Sequence, residues 1–116
     1  MRGFFDFGSP IIELPIDGRK LKMLLDTGFN GHIMLPQSVI EELGLDQIGV
    51  SDYLTASGDK KLTEVYIGKI LFFDEEIEVP ILSTNPDIYL AGMELFKECK
   101  IVIEQNKNIV EIIKSK

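Results

Sequence analysis

The sequence predicts a single, mainly β domain over residues 1–116, a compact barrel or folded sheet with one or two short helices. Short runs of branched and aromatic residues recur along the chain, and Gly, Asp and Asn turn signals separate them at close spacing. Only one stretch combines helical apolar spacing with clear start and stop signals. Many short strands with few helices are typical of a β-barrel, and a chain of this length holds one core rather than two.

The first part of the chain predicts a strand hairpin followed by a helix. The dipeptide Asp17-Gly18 separates two apolar runs and is typical of a tight hairpin turn. Pro36 stands where a helix begins and Gly44 where it ends, and the apolar residues between them recur with helical spacing. The predicted elements are a strand-like segment over 4–7, strands over 11–16, 20–25 and 33–35, and a helix over 36–43.

The rest of the chain predicts further hairpins. Ser57 and Gly58 form the polar tip between strands over 53–56 and 62–73, and this tip is either a lid over a site or a plain surface hairpin. Pro80 indicates that its strand lies at a sheet edge or ends there. The remaining predicted elements are strands over 77–82 and 88–92, a brief helix over 93–97, and a final hairpin of 101–103 with 109–113.

Composition and charge exclude several classes of function. The chain is 45% hydrophobic and 27% charged, as in soluble globular proteins, and no apolar run approaches the roughly 20 residues of a membrane span. Residues 1–10 lack the basic start and apolar middle of a signal peptide, so we expect a cytoplasmic protein. The single Cys99 fits a reducing compartment. A net charge of −7 without a basic cluster argues against nucleic acid as a partner.

The stretch Leu24-Leu25-Asp26-Thr27-Gly28 is the strongest candidate for a chemical site, because an apolar strand end runs directly into an acid, a hydroxyl and a glycine. The Thr27 hydroxyl can hydrogen-bond locally, and Gly28 allows a tight turn that exposes backbone N–H groups. Together they would hold the Asp26 carboxylate in a fixed position. Asp, Thr and Gly are also common where strands end, so an ordinary strand-to-turn junction is the alternative.

Across 11–113 the chain resembles the retroviral-type, or retropepsin-like, single-domain aspartic proteases. Residues 24–28 are similar to the family's apolar-apolar-Asp-Thr/Ser-Gly signature, and the hairpin tip at 57–58 lies where the family has its flap. Residues 90–92 are similar to the apolar-apolar-Gly segment that passes beside the family's catalytic loop. The continuation over 29–31 resembles that of a microbial branch of the same clan.

The resemblance implies a closed, barrel-like retropepsin fold. It also implies an aspartic endopeptidase that acts on protein or peptide substrates and needs neither a cofactor nor a metal. Asp26 would activate the attacking water, with Thr27 and Gly28 supporting its loop. Two further sets of residues follow from the resemblance: Ala56, Ser57 and Gly58 as the flap that binds substrate, and Leu90, Ala91 and Gly92 as the second motif that supports the catalytic loop.

One acid in each chain implies that two chains act together. Aspartic proteolysis needs two carboxylates that share one proton, and this sequence has a single motif of that kind. A homodimer with twofold symmetry would bring Asp26 of each chain to the axis. The resemblance implies that Thr27 hydrogen-bonds across this axis and that chain termini supply interface strands. The aromatic residues of 4–7 and the strand 109–113 are candidates for that interface, with burial in the internal core as the alternative.

Other interpretations of the sequence lead to different functions. A catalytically inactive peptide-binding or dimerisation domain with the same fold is the main alternative. The acidic run over 74–78 is more typical of a solvated edge than of a metal site. His32 could border the site, although a satisfied or exposed loop histidine is commoner. A nucleophilic pair of Cys99 and His32 has no flanking motif.

Overall fold

The computed structural model describes residues 1–54 and 57–115, and almost all of its regular elements are strands. The elements are β1 (Phe4–Asp6), β2 (Ser9–Ile16), β3 (Arg19–Leu25), β4 (Ile33–Pro36), α1 (Gln37–Leu43), β5 (Asp46–Leu54), β6 (Lys60–Phe72), β7 (Glu75–Thr84), β8 (Leu90–Ala91), β9 (Cys99–Glu104) and β10 (Ile109–Lys114), with a 3₁₀ turn over Gln105–Lys107. The mainly β prediction is confirmed. In this described part of the chain, no helix is long and apolar enough to cross a membrane.

The larger sheet curls into a ring, which confirms the closed, barrel-like architecture. Its eight strands run in the order β1-β2-β3-β8-β4-β7-β6-β5, and β2 also pairs with β6 through Ile16 and Ile70. Both residues are fully buried, so the ring closes around the core. A smaller apolar cluster comprises Phe29, Met34, Val65 and Leu82.

The turn between β2 and β3 links the hairpin to the far side of the ring. Asp17 and Gly18 both have positive φ, 48° and 83°, as the predicted tight turn requires. The Asp17 N–H donates to the Lys69 carbonyl at 2.8 Å, and the Asp17 carboxylate accepts the Lys69 N–H at 3.1 Å. One turn therefore sets the register of β2 with β3 and also fastens β2 to β6.

Two local predictions were wrong. The segment 93–97 is a succession of turns rather than a helix, because its N–H groups bond carbonyls three residues back, as from Phe96 to Met93 at 3.1 Å. Five residues are too few to nucleate a helix without strong caps.

Pro80 lies inside β7, which β6 and β4 flank on its two sides. The β4 pairing begins only at Ile81, so the missing N–H of Pro80 falls just before that ladder.

The chain termini meet in a second, smaller sheet. β10 pairs with β9 along six residues, and 1–3 runs along its other side. The Ile112 N–H donates to the Met1 carbonyl at 2.8 Å, and the Gly3 N–H donates to the Val110 carbonyl at 2.8 Å. Val110 and Ile112 are buried in the core. The strand predicted over 109–113 therefore has both of its edges covered by its own chain.

Candidate active site

The loop over 26–32 connects β3 to β4 and carries Asp26. In the ring, β8 lies between these two strands, so both ends of the loop leave the sheet beside the same short strand. Ala91 of β8 pairs with Leu25 on one side and with Ile33 on the other. The predicted second-motif segment therefore lies at the base of the Asp26 loop.

Backbone hydrogen bonds join this loop to the segment that follows β8. The four bonds run from Asp26 N to Ala91 O at 2.9 Å, from Gly92 N to His32 O at 2.8 Å, from Met93 N to Phe29 O at 2.9 Å and from Glu94 N to Gly31 O at 3.1 Å. Because they involve only main-chain groups, they do not depend on which side chains the segment over 91–94 has. The whole length of the loop is thus fixed to one neighbouring segment.

The Asp26 side chain is held by its own turn. Its Oδ1 accepts the Gly28 N–H at 2.9 Å, and its backbone carbonyl accepts the Phe29 N–H at 3.3 Å. The carboxylate is half-buried, while Thr27 and Gly28 are exposed. A carboxylate in this arrangement has a fixed direction and remains open to water or to another molecule.

The ring of Phe29 fills a slot between two glycines, a feature that the sequence analysis missed. The side chain is only 4% exposed. A methyl group at Gly31 would lie 2.6 Å from Phe29 Cζ, and one at Gly92 would lie 2.5 Å from Phe29 Cδ2. Glycine at both positions is therefore a steric requirement of the aromatic residue. The signal in the sequence was a large side chain directly after the Asp-Thr-Gly triplet with a glycine two residues later.

We expect Gly92→Ala to destabilise the protein by about 1–3 kcal/mol, the usual cost of forcing a methyl group into a packed site. The added Cβ would also lie 2.7 Å from the Phe29 carbonyl, which is part of the backbone and cannot rotate away. Urea unfolding measures the change. Gly49→Ala is the matched control, because a Cβ at Gly49 has no described atom within 4 Å. Equal midpoints for the two variants would show that the slot is not tightly packed.

Two of the three predicted flap residues, Ser57 and Gly58, lie at the tip of the hairpin of β5 and β6. Ser57 and Gly58 form its turn, and the Ser57 hydroxyl donates to the Asp59 carboxylate at 3.2 Å. Ala56 lies outside the described residues. Nearer the base of this hairpin, a cleft of about 230 Å³ separates β5 from the Asp26 loop. Its lining combines residues of the loop (Asn30, Gly31 and His32), of β5 (Ser51 and Asp52) and of the inner strands (Val65, Pro80 and Leu82).

His32 and Cys99 have little nucleophilic or basic character. Burial lowers the pKa of His32, with Glu94 opposing this effect and Lys97 adding to it, so the imidazole is neutral at pH 7. Burial likewise raises the pKa of the Cys99 thiol, which Lys114 lowers to a smaller extent. The thiol is therefore protonated at neutral pH, whereas a nucleophilic cysteine needs a stabilised thiolate.

The acidic run after β6 is exposed. Asp74 lies in the turn with Phe73, and Glu75, Glu76 and Glu78 are exposed on β7. Glu75 pairs with Lys114 at 3.3 Å. Among the residues that the structure describes, no group of three or more His, Cys, Asp or Glu side chains could hold a metal ion.

Comparison with known proteins agrees with this geometry. The sequence model of a family described as aspartyl protease matches residues 12–93. A search of curated proteins gives no match.

Three solved structures share the fold. A retropepsin-like aspartic protease from Rickettsia conorii is 18% identical, with a TM-score of 0.69 over 99% of this chain and 89% of that one. The EIAV protease in complex with the inhibitor HBY-793 is 17% identical, with a TM-score of 0.69 over 85% and 98% of the two chains. The retroviral protease-like domain of Ddi1 from Leishmania major is 13% identical, with a TM-score of 0.53 over 90% and 94%.

The family match spans the Asp26 loop, the β5–β6 hairpin and the second-motif segment, the same parts that the structure brings together around one ring. The fold comparison extends the likeness to nearly the whole chain. On these grounds the chain belongs to the aspartyl protease family and has the retropepsin-like fold.

Proposed function

We propose that this chain is an aspartic endopeptidase that is active as a homodimer, with Asp26 of each chain forming one catalytic pair. The observation that carries the proposal is the fixed Asp26 carboxylate, which accepts the Gly28 N–H at 2.9 Å on a loop bonded along its length to the β8 segment. The match to the aspartyl protease family includes Asp26, which supports this residue as the catalytic acid.

The proposed reaction uses the two carboxylates in opposite protonation states. The charged Asp26 takes a proton from water as the water oxygen forms a bond to the scissile carbonyl carbon. The neutral Asp26 donates its proton to the carbonyl oxygen, which gives an uncharged tetrahedral intermediate. The Asp26 that took the water proton then donates it to the amide nitrogen, the other Asp26 takes a proton from a hydroxyl of the intermediate, and the C–N bond breaks to give a carboxylic acid and an amine. Two like charges in close contact favour the singly protonated pair, so the dyad holds one proton in its active state.

The second carboxylate has to come from a second chain. Twofold symmetry brings the same residue of each subunit to the axis, and the exposed Thr27 and Gly28 beside Asp26 are available for contact there. A hydrogen bond from Thr27 across the axis would fix the two loops relative to each other. The Gly28 N–H would keep each Asp26 aimed at the shared water.

The proposed substrate is a protein or peptide segment in extended form. It would lie between the Asp26 loop and the β5–β6 hairpin, where the cleft of about 230 Å³ is open to solvent. Ser57 and Gly58, with Ala56, would close over it. Leu90, which is partly buried against the cluster that contains Phe29, would supply apolar surface beside the loop, which favours partly apolar segments.

A statine-type peptide tests the shared site. Its hydroxyl replaces the attacking water between two acids, so we expect tight inhibition with one inhibitor bound per two chains. Isothermal titration gives the stoichiometry, and the matched peptide without the hydroxyl is the control. Metal chelators and thiol reagents should leave hydrolysis unchanged. Loss of activity with EDTA, or one inhibitor per chain, would contradict the mechanism.

A further inference from the structure

The hairpin of β5 and β6 separates from the rest of the ring at a defined point. β6 pairs with β7 as far as Val65, which lies opposite Leu82. Beyond that point β7 continues beside β4, and in the described chain β6 continues beside β5 alone. We call this two-stranded continuation, 50–54 with 60–64, the arm. Isolated two-stranded ribbons are marginally stable, so the position of the arm depends on what holds its base.

Open space lies on both sides of the arm. On one side is the cleft of about 230 Å³ that separates β5 from the Asp26 loop. On the other side is a second cleft, of about 380 Å³, whose walls are 61–64 with Val50 on the arm and 83–86 at the end of β7. The two clefts leave the arm room to swing in either direction, so bonds at its base have to set its angle.

One side-chain hydrogen bond crosses the gap between the arm and β7. The Thr63 hydroxyl donates to the backbone carbonyl of Ser83 at 2.5 Å, just beyond the last backbone pair of β6 and β7. Both residues are half-buried, where a hydrogen bond competes less with water than it does on the surface. Thr63 also pairs with Ser51 of β5. The bond therefore holds both strands of the arm at its base.

The acceptor of this bond is itself held by a relay of side chains. The Ser83 hydroxyl donates to the Gln37 amide oxygen, and the Gln37 amide nitrogen donates to the Tyr66 hydroxyl at 3.2 Å. Tyr66, which is only 8% exposed, donates in turn to the Glu64 carboxylate at 3.0 Å. Gln37 is the first residue of α1, so the relay connects the base of the arm to the helix.

We infer that Thr63 is a positioning residue, which through its bond to Ser83 fixes the angle at which the arm leaves the ring. This inference rests on the proposed function, because the arm ends in Ser57 and Gly58, the residues proposed to close over a substrate. A fixed angle limits the freedom that the arm loses on closing. Without the bond the arm also enters the second cleft, and a smaller fraction of chains is ready to bind.

Thr63→Val removes the hydroxyl and keeps the branched side chain that suits a strand. We expect KM to rise about three- to tenfold, the effect of one neutral hydrogen bond on an equilibrium. The bonds that hold Asp26 do not involve Thr63, so kcat should stay within about twofold of the wild type. Thr63→Ser retains the hydroxyl and should restore the wild-type KM. Steady-state kinetics on a peptide substrate measure both constants.

Thr84→Val is the matched control. Thr84 lines the same cleft from β7, the chemical change is identical, and its hydroxyl makes no hydrogen bond within the described chain. This variant should have the wild-type KM and kcat. An equal rise of KM in Thr63→Val and Thr84→Val, or a Thr63→Ser variant that behaves like Thr63→Val, would overturn the inference.

Double electron–electron resonance follows the arm independently of hydrolysis. Nitroxide labels are attached at Asp59→Cys beside the tip and at Asp87→Cys just beyond the second cleft, both exposed positions, in a Cys99→Ser background. Dilution with an excess of unlabelled chain makes the measured label pairs intramolecular. We expect Thr63→Val to broaden the distribution of distances between the labels and Thr84→Val to leave it unchanged.

The outcomes separate this inference from the proposed function. A broader distance distribution in Thr63→Val, in a protein that hydrolyses no peptide, would support the positioning role and contradict the endopeptidase. An active protein in which Thr63→Val has the wild-type KM and an unchanged distance distribution would overturn the positioning role and leave the endopeptidase standing.

Discussion

Asp26→Asn is expected to abolish peptide hydrolysis and to leave the fold intact. General acid–base catalysis contributes about 10²–10⁴-fold to a rate, and both halves of the proposed pair come from this one position, so activity should fall at least that far. The substitution keeps the shape of the side chain. An amide oxygen can still accept the Gly28 N–H that the Oδ1 of Asp26 accepts at 2.9 Å. A peptide-library assay and thermal melts measure the two properties.

Asp74→Asn is the matched control, since it makes the same chemical change at an exposed turn. It should have wild-type activity. Residual hydrolysis in Asp26→Asn that is free of contaminating protease would exclude Asp26 as the catalyst. If wild type and variant are both inactive dimers that bind peptide, the inactive binding domain becomes the better account of this chain.

Mixing wild type with an excess of Asp26→Asn should lower the activity per wild-type chain. A heterodimer contains one competent acid and should be inactive, so activity depends on pairs of wild-type chains. With a ninefold excess of the variant, random pairing leaves about one wild-type chain in ten with a wild-type partner. The expected activity per wild-type chain falls by the same factor. A site built within one chain would show no such fall.

The mixing experiment requires proof that subunits exchange. Mass-tagged chains in native mass spectrometry follow exchange independently of activity, and an equal excess of Asp74→Asn controls for dilution. Moderate salt, where the Debye length is about 8 Å, limits repulsion between chains that each have a net charge of −7. Constant activity per wild-type chain after complete exchange would contradict a shared active site.

The sequence predicted those parts of the fold whose signals are local. The Asp17-Gly18 turn set the first hairpin because few other residues accept two consecutive positive φ angles. Pro36 and Gly44 marked the ends of α1 in the same way. The position of the second-motif segment beside Asp26 was also predicted, but from the family resemblance, because nothing in residues 24–28 specifies a distant strand.

The parts that could not be predicted depend on contacts between distant segments. Phe29 fits its slot only because Gly92 approaches it from the distant segment that follows β8. The sequence predicted Pro80 at a sheet edge because proline has no N–H and normally removes a hydrogen bond from a central strand. In the structure β4 begins to pair with β7 only at Ile81, one residue after Pro80. Pairing of 1–3 with β10 covers the terminal strand that had been the interface candidate. Periodicity along one segment contains no information about such partners.

The bonding of the Asp26 loop to the segment after β8 has a consequence for the newly made chain. Asp26 is synthesised well before Ala91 and Gly92, which hold its loop through backbone hydrogen bonds. Until then the loop lacks its support, and contacts between distant residues form late in folding. A ribosome-bound or partly unfolded chain would therefore have the acid without an ordered catalytic site. Timing of synthesis would protect the chain and its neighbours from premature cleavage.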